Sequence, residues 1–123
     1  MQIWSTNSGW FQVFKYENNQ FINWSNNKVL DVRGGKDAEG NPVQVYGNNG
    51  SKAQRWRVLY LDKAAKIETK GLNEEFGFHI NRPFYMVSEL PFNRVAEMLG
   101  NTRMVLKRWR NNTRQQQFWF DEV

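Results

Sequence analysis

The chain consists mostly of short runs in which apolar and polar residues alternate. These runs are rich in aromatic and β-branched residues and are separated by turns rich in Gly, Asn and Pro, such as residues 33–42 and 47–53. Alternation with period two places successive side chains on opposite faces of a β-strand. Many short strands at this spacing predict an all-β sandwich or barrel. Residues 61–71 have possible helix caps but few apolar residues, so we predict a long connection there.

Two segments of the chain repeat the same order of strands and turns. Residues 20–60 (the first complete unit) and residues 82–123 (the second complete unit) each hold four predicted strands, joined by the long connection 61–81. The alignment places "KVLDV" on "RVAEM". It ends on a shared Gln-x-Trp triplet, formed by Gln54 and Trp56 in one unit and by Gln117 and Trp119 in the other.

A third, partial copy precedes these two units. Residues 3–16 match the last two strands of a unit, with Ser8-x-Trp10 in the place of Gln-x-Trp. The predicted domain, residues 1–123, therefore has two complete units and one partial unit that lacks its first two strands. An open sheet edge is a site of unwanted pairing. We therefore expect the missing strands to come from a longer protein or from a neighbouring copy of the chain.

These features resemble the ricin-B-type β-trefoil, the R-type lectin family named for its Gln-x-Trp repeats. The resemblance rests on two triplets in register with "VLDV", "VQVYG" and "AQRW". It implies three four-strand units that form a closed six-strand barrel capped by hairpins. Residues two apart in a strand share a face, so a buried Trp and a Gln that satisfies backbone groups together act as a folding signal. A structural role is therefore predicted for Gln54, Trp56, Gln117 and Trp119.

The resemblance also implies a shallow sugar pocket in each unit. There a carboxylate accepts hydrogen bonds from sugar hydroxyls, an aromatic ring stacks on the sugar, and amides complete the contacts. The matching residues of the first complete unit are Asp31, Gln44, Tyr46 and Asn49. Those of the second are Glu97, Lys107, Trp109, Asn112 and Gln116. Sugar-binding members often have Asn directly before the triplet, where this chain has Ala53. A structural alternative for Asp31 is that it caps a turn.

Composition narrows the possible chemistry. With 123 residues, 40% of them hydrophobic, the chain is long enough for one core. It has no cysteine and one histidine, His79, which argues against disulfides, thiolate sites, a zinc site and a nucleophilic triad. The remaining carboxylates of interest lie in charged turns, at Asp37, Glu39 and Glu74-Glu75. We therefore predict that the chain is not an enzyme and that it needs neither a cofactor nor a metal.

Charge indicates which partners to expect. The formal net charge of +5 and the pI of about 9.7 favour acidic partners. The basic segment 106–114 alternates its charges between two faces, which fits a protected strand edge better than a nucleic-acid groove. No apolar run approaches the roughly 18 residues of a membrane span. The absence of cysteine and of a visible signal peptide favours an intracellular, reducing compartment.

Two functional hypotheses follow from the sequence. The first is a non-catalytic, lectin-like carbohydrate-binding β-trefoil that uses the pocket of the first complete unit. The second is a structural scaffold trefoil without sugar binding, which docks in a protein assembly such as a cytoskeletal, ciliary or filamentous structure. The expected partners are accordingly a glycan, an acidic protein surface or a neighbouring copy of the chain.

Overall fold

The computed structural model describes residues 2–5, 11–23, 25–61, 83–100, 103–111 and 113–121. These residues form ten antiparallel strands: β1 (Gln2–Ser5), β2 (Phe11–Glu17), β3 (Gln20–Asn23), β4 (Val29–Val32), β5 (Pro42–Tyr46), β6 (Trp56–Tyr60), β7 (Phe84–Ser88), β8 (Val95–Leu99), β9 (Arg103–Lys107) and β10 (Phe118–Asp121). Short 3-10 turns span Arg33–Gly35, Lys52–Gln54 and Arg114–Gln116. The all-β prediction is confirmed. Among the described residues, no helix has the length and hydropathy needed to cross a bilayer.

Some predicted features lie outside the described residues. These are the triplet Ser8-x-Trp10, the residue His79, the pocket residue Asn112, and the connection 61–81 apart from its first residue. The four strands β3–β6 fall within residues 20–60, and the four strands β7–β10 fall within residues 82–123.

Six of the strands contact one another in a ring. Backbone pairing joins β1 to β2, β2 to β3, β6 to β7, β7 to β10 and β10 back to β1. β6 is linked to the start of β3 by a hydrogen bond of 2.7 Å from the Trp56 N–H to the carbonyl oxygen of Asn19, the residue directly before β3. Each complete unit therefore gives its first and last strands to this ring. Its two middle strands pair with each other as the hairpins β4–β5 and β8–β9.

The N-terminal unit is partial, but its two strands take a different place from the one expected. β1 pairs with β10, with Gln2 opposite Asp121. The same kind of contact joins β2 to β3 and β6 to β7, where the last strand of one unit meets the first strand of the next. β1 is therefore the first strand of the N-terminal unit, and β2 is its last. The position beside β10, which was expected to be filled by strands of a longer protein or of a neighbouring copy, is filled by β1.

Large aromatic side chains fill the ring. Six that are no more than 1% exposed are Phe14, Phe21, Trp56, Tyr60, Phe84 and Phe118. They come from β2, β3, β6, β7 and β10, so different units contribute to the same core. The rings of Tyr60 and Phe84 meet edge to face, with centroids 6.2 Å apart. Full burial of one such side chain contributes roughly 1.5–3 kcal/mol, so this cluster is a main source of stability.

An ion pair joins the β4–β5 turn of the first complete unit to the β7–β8 turn of the second. Arg94 Nη1 lies 2.8 Å from Asp37 Oδ1, and these side chains are 20% and 11% exposed, respectively. The same nitrogen donates to the Asp37 carbonyl oxygen at 2.8 Å, and the Phe92 N–H donates to Asp37 Oδ2 at 2.9 Å. Asp37 therefore fixes the turn of one unit against the turn of the other.

Replacing Asp37 with alanine is expected to lower the free energy of unfolding by about 1–2 kcal/mol, because it removes the carboxylate oxygens that accept from Arg94 and from the Phe92 N–H. Urea denaturation measures this change. The matched control is Glu17→Ala, whose carboxylate pairs with Lys15 at 3.6 Å in a more exposed setting, with an expected cost of about 0.5 kcal/mol or less. Equal effects of the two substitutions would contradict a bridging role for Asp37.

Candidate functional site

A cleft of about 510 Å³ opens beside two 3-10 turns of the first complete unit. This cleft, called the Asp31 cleft below, is lined by Asp31, Gly34, Gly35, Gln44, Tyr46, Asn49, Ser51, Lys52, Ala53 and Leu90. The four residues that the sequence placed in the first pocket are all among them. They come from β4, from β5 and from the turn that follows β5.

The carboxylate of Asp31 is held by a short chain of hydrogen bonds. Asp31 lies in β4 opposite Gln44 of β5 and is only 5% exposed. Gln44 Nε2 donates to Asp31 Oδ2 at 2.9 Å, and Gln44 Oε1 accepts from Arg33 Nε at 3.3 Å. In the described part of the chain, Asp31 Oδ1 has no hydrogen-bond partner and no backbone N–H reaches this carboxylate. One oxygen is therefore available to a ligand.

Gln54 supports the turn beneath the cleft. Its side chain is fully buried, with Oε1 accepting from the Asn49 N–H at 2.8 Å and Nε2 donating to the Gly47 carbonyl oxygen at 2.8 Å. Two residues further on, Trp56 Nε1 donates to the Leu30 carbonyl oxygen at 3.2 Å. The Gln-x-Trp triplet thus holds both the strand and the turn that carry the cleft residues.

The rim of the Asp31 cleft combines an exposed ring with small residues. Tyr46 ends β5 and is 56% exposed, so its ring is accessible. Asn49 uses its Oδ1 to accept from the Ser51 N–H at 3.0 Å, an Asx turn that fixes its orientation. Gly35 has φ of 66° and approaches Ala53, since a Cβ built at Gly35 would lie 3.9 Å from the Ala53 Cβ. The two turns therefore meet at one wall of the cleft.

Sequence reasoning missed several lining residues. Leu90 belongs to the turn between β7 and β8, so the second complete unit supplies part of the wall. Alignment of one unit on another cannot reveal a contact between units, and the sequence around Leu90 has no local pattern that predicts this contact. Ser51 and Lys52 are exposed and lie three and two residues before Gln54, the first residue of the triplet. Their closeness to the triplet was the available signal.

The corresponding carboxylate of the second complete unit, that of Glu97, is bound by side chains of the same chain. Glu97 is 5% exposed, and its Oε1 accepts from Arg110 Nη2 at 2.6 Å and from Gln116 Nε2 at 2.9 Å. Arg110 therefore occupies the space beside the carboxylate where a ligand would have to bind. An Arg–carboxylate pair of this length is a strong, charge-assisted contact.

Of the other residues predicted for the second pocket, Gln116 contacts Glu97, whereas Trp109 and Lys107 take part in other contacts. Trp109 packs edge to face on Tyr85, with ring centroids 6.2 Å apart, and its buried Nε1 has no partner among the described residues. Lys107 instead lines a separate basic cleft of about 310 Å³ with Glu39, Arg108 and Arg110. The four predicted residues that the structure describes, Glu97, Lys107, Trp109 and Gln116, thus do not line one pocket.

Strand register explains this difference between the units. In the first complete unit Tyr46 lies opposite Val29, and in the second Lys107 lies opposite Val95. The structural counterpart of Tyr46 is therefore Lys107 and not Trp109, as the sequence alignment had placed it. By the same register, Val105 takes the position of Gln44, so the second unit lacks both the amide and the ring.

The glutamine that supports the turn in the second complete unit is Gln116, one residue before the Gln117 that the sequence alignment had predicted. Gln116 is fully buried, accepts from the Arg110 N–H at 3.0 Å and donates to the Arg108 carbonyl oxygen at 2.9 Å. These contacts match those of Gln54, whereas the alignment had assigned them to Gln117. Phe118, which begins β10, is correspondingly the buried aromatic residue, and Trp119 is half-buried. A shift of one residue in a strand moves every side chain to the opposite face.

Comparison with known proteins supports the fold. The chain is similar in structure to a designed threefold-symmetric protein, ThreeFoil, with a TM-score of 0.63 and 13% sequence identity over 89% of this chain and 69% of that chain. No protein-family model and no curated protein sequence matches the chain. The predicted β-trefoil fold is confirmed, and at this level of identity the similarity concerns the fold alone.

Proposed function

We propose that this chain is a non-catalytic carbohydrate-binding module with one sugar site, the Asp31 cleft. The observation that carries the proposal is the convergence of Asp31, Gln44, Tyr46 and Asn49, from three parts of the chain, on one cleft. The resemblance to R-type lectins implies the same four residues for a sugar pocket.

The chemistry of the cleft suits a sugar. Asp31 Oδ1 can accept hydrogen bonds from hydroxyl groups, and its other oxygen is already held by Gln44 at 2.9 Å. The exposed ring of Tyr46 offers an apolar face for the C–H groups of a pyranose. Carboxylate, ring and amide together fix both the position and the orientation of a ring-shaped polyol.

The same cleft gives little support to glycoside hydrolysis. Hydrolysis of a glycosidic bond ordinarily requires two carboxyl groups on either side of the bond, about 5–10 Å apart. Asp31 is the one carboxylate among the described residues that line this cleft. Binding without catalysis is therefore the function proposed.

A scaffold trefoil without sugar binding is the second candidate. Two observations favour it: the carboxylate of the second complete unit is closed by Arg110 at 2.6 Å, and the methyl group of Ala53 lines the Asp31 cleft where sugar-binding relatives often carry an amide. In this alternative the module docks to an acidic protein surface through exposed cations. A sugar-binding experiment separates the two candidates.

Replacing Asp31 with asparagine is expected to weaken sugar binding at least about tenfold, because hydrogen bonds to a charged acceptor are stronger than those to a neutral one. Titration with a panel of neutral and acidic monosaccharides, followed by calorimetry or NMR, measures the change. Asparagine keeps an acceptor for Gln44, so the cleft should retain its shape.

Glu17→Gln is the matched control for this experiment. It removes the same charge from an exposed carboxylate outside the cleft and should leave sugar affinity unchanged. Binding that survives Asp31→Asn would place the site elsewhere. If no sugar in the panel binds at millimolar concentration, the sugar-binding function fails and the scaffold candidate replaces it.

A further inference from the structure

One cationic side chain lines the Asp31 cleft and a second contacts a residue that lines it, and neither is paired with an anion among the described residues. Lys52 lines the cleft and is exposed, and its ammonium group has no partner among the described residues. Arg33 directly follows β4, is exposed, and donates to Gln44 through Nε at 3.3 Å. The other two guanidinium nitrogens of Arg33 make no hydrogen bond within the described part of the chain.

The two cations lie on turns that meet beside the cleft. Arg33 begins the turn Arg33–Gly35, and Lys52 begins the turn Lys52–Gln54. The turns approach each other where Gly35 lies close to Ala53, with 3.9 Å between the Ala53 Cβ and a Cβ built at Gly35. Lys52 therefore lines the cleft, Arg33 lies beside it on Gln44, and the one carboxylate among the lining residues, Asp31, is buried in its wall.

In the second complete unit, the carboxylate that corresponds to Asp31 has a cationic partner. There the carboxylate of Glu97 is paired with Arg110 at 2.6 Å, so the charges cancel within the protein. In the first complete unit no described cation pairs with Asp31, and Lys52 is left without an anion. The Asp31 carboxylate, Lys52 and the neighbouring Arg33 therefore remain available to a ligand.

We infer that the sugar bound in the Asp31 cleft carries an acidic group, a carboxylate or a sulfate ester, and that Lys52 and Arg33 bind this group while Asp31 accepts the sugar hydroxyls. This inference rests on the proposed function. A neutral sugar would satisfy Asp31 and leave both cations unpaired. An acidic sugar satisfies all three, and its charged contact to Lys52 replaces the amide contact that Ala53 cannot make.

The test compares matched pairs of sugars at low and high salt: D-galactose with D-galacturonate and with galactose 6-sulfate, and D-glucose with D-glucuronate. At low salt an acidic member should bind about tenfold more tightly than its neutral counterpart, as expected for an added charge-assisted hydrogen bond. The difference should shrink at high salt because exposed charges are screened. A preference for uronates over sulfates, or the reverse, identifies the acidic group.

The variant Lys52→Gln should weaken binding of the acidic sugar about tenfold and change neutral-sugar binding less than about twofold, since it removes the charge alone. Lys52→Arg keeps the positive charge and should retain most of the affinity for the acidic sugar. The matched control is Lys28→Gln, which removes one exposed charge outside the cleft and should have no effect. Lys52 is exposed, so these substitutions are compatible with folding.

The outcomes separate the inference from the proposed function. Equal binding of neutral and acidic sugars, or an unchanged affinity in Lys52→Gln, overturns the inference and leaves the sugar site in place. Failure of every sugar to bind overturns the sugar site and, with it, the inference. Competition by inorganic sulfate as strong as that by the acidic sugar overturns the role of Asp31 and identifies a simple anion site.

Discussion

Replacing Trp56 with alanine is expected to lower the free energy of unfolding by about 3–5 kcal/mol, the range for deletion of a large buried aromatic side chain. Trp56 is fully buried in the core of the ring, and its Nε1 donates to the Leu30 carbonyl oxygen at 3.2 Å. The substitution removes this hydrogen bond and leaves a cavity among packed aromatic rings. Urea denaturation with an unchanged m-value measures the loss.

The control for this experiment is Trp119→Ala, at the other Gln-x-Trp triplet of the sequence. Trp119 is half-buried, and its neighbour Phe118 is the fully buried residue. Loss of a partly buried side chain should lower the free energy of unfolding by about 1–2 kcal/mol. A cost as large as that of Trp56→Ala would show that Trp119 and not Phe118 faces the core, and would contradict the observed register of β10.

Gln116→Ala is expected to lower the free energy of unfolding by about 2–4 kcal/mol, because it leaves several groups without their hydrogen-bond partners. Gln116 accepts from the Arg110 N–H at 3.0 Å and donates to both the Arg108 carbonyl oxygen and the Glu97 carboxylate at 2.9 Å. The buried carboxylate of Glu97 would keep only Arg110. Thermal or urea unfolding of the variant measures the change.

Gln117→Ala is the matched comparison, one residue away. Gln117 is half-buried and makes no side-chain hydrogen bond within the described part of the chain. A substitution at such a position usually changes stability by about 0.5 kcal/mol or less. If Gln117→Ala were the more damaging of the two, the assignment of the structural glutamine to Gln116 would be wrong.

The sequence predicted the fold class because its signal is local. Alternating runs identify strands, and a repeat of strands and turns identifies the units. The alignment of "KVLDV" on "RVAEM" agrees with the strand pairing, since Val29 and Val95 occupy equivalent positions in their hairpins. Composition and spacing were sufficient for these features.

The second pocket and the second triplet were harder to predict for a physical reason. The run "RQQQFWFD" offers two registers, and both place a Gln two residues before an aromatic residue. The connection between β9 and β10 spans residues 108–117, one residue longer than the connection 47–55 between β5 and β6. That extra residue selects Gln116 and Phe118. Which residue faces inward depends on pairing across the sheet.

The sequence by itself determined that this chain is all-β, that it is built from repeated four-strand units, and that Asp31, Gln44, Tyr46 and Asn49 are candidates for one site. Only the tertiary structure decided that β1 pairs with β10, that Leu90 closes the Asp31 cleft, and that Arg110 closes the position of Glu97. Alternation and repeats are properties of neighbouring residues. Strand partners, contacts between units and ion pairs join residues far apart in the chain, so they are set by packing of the whole domain.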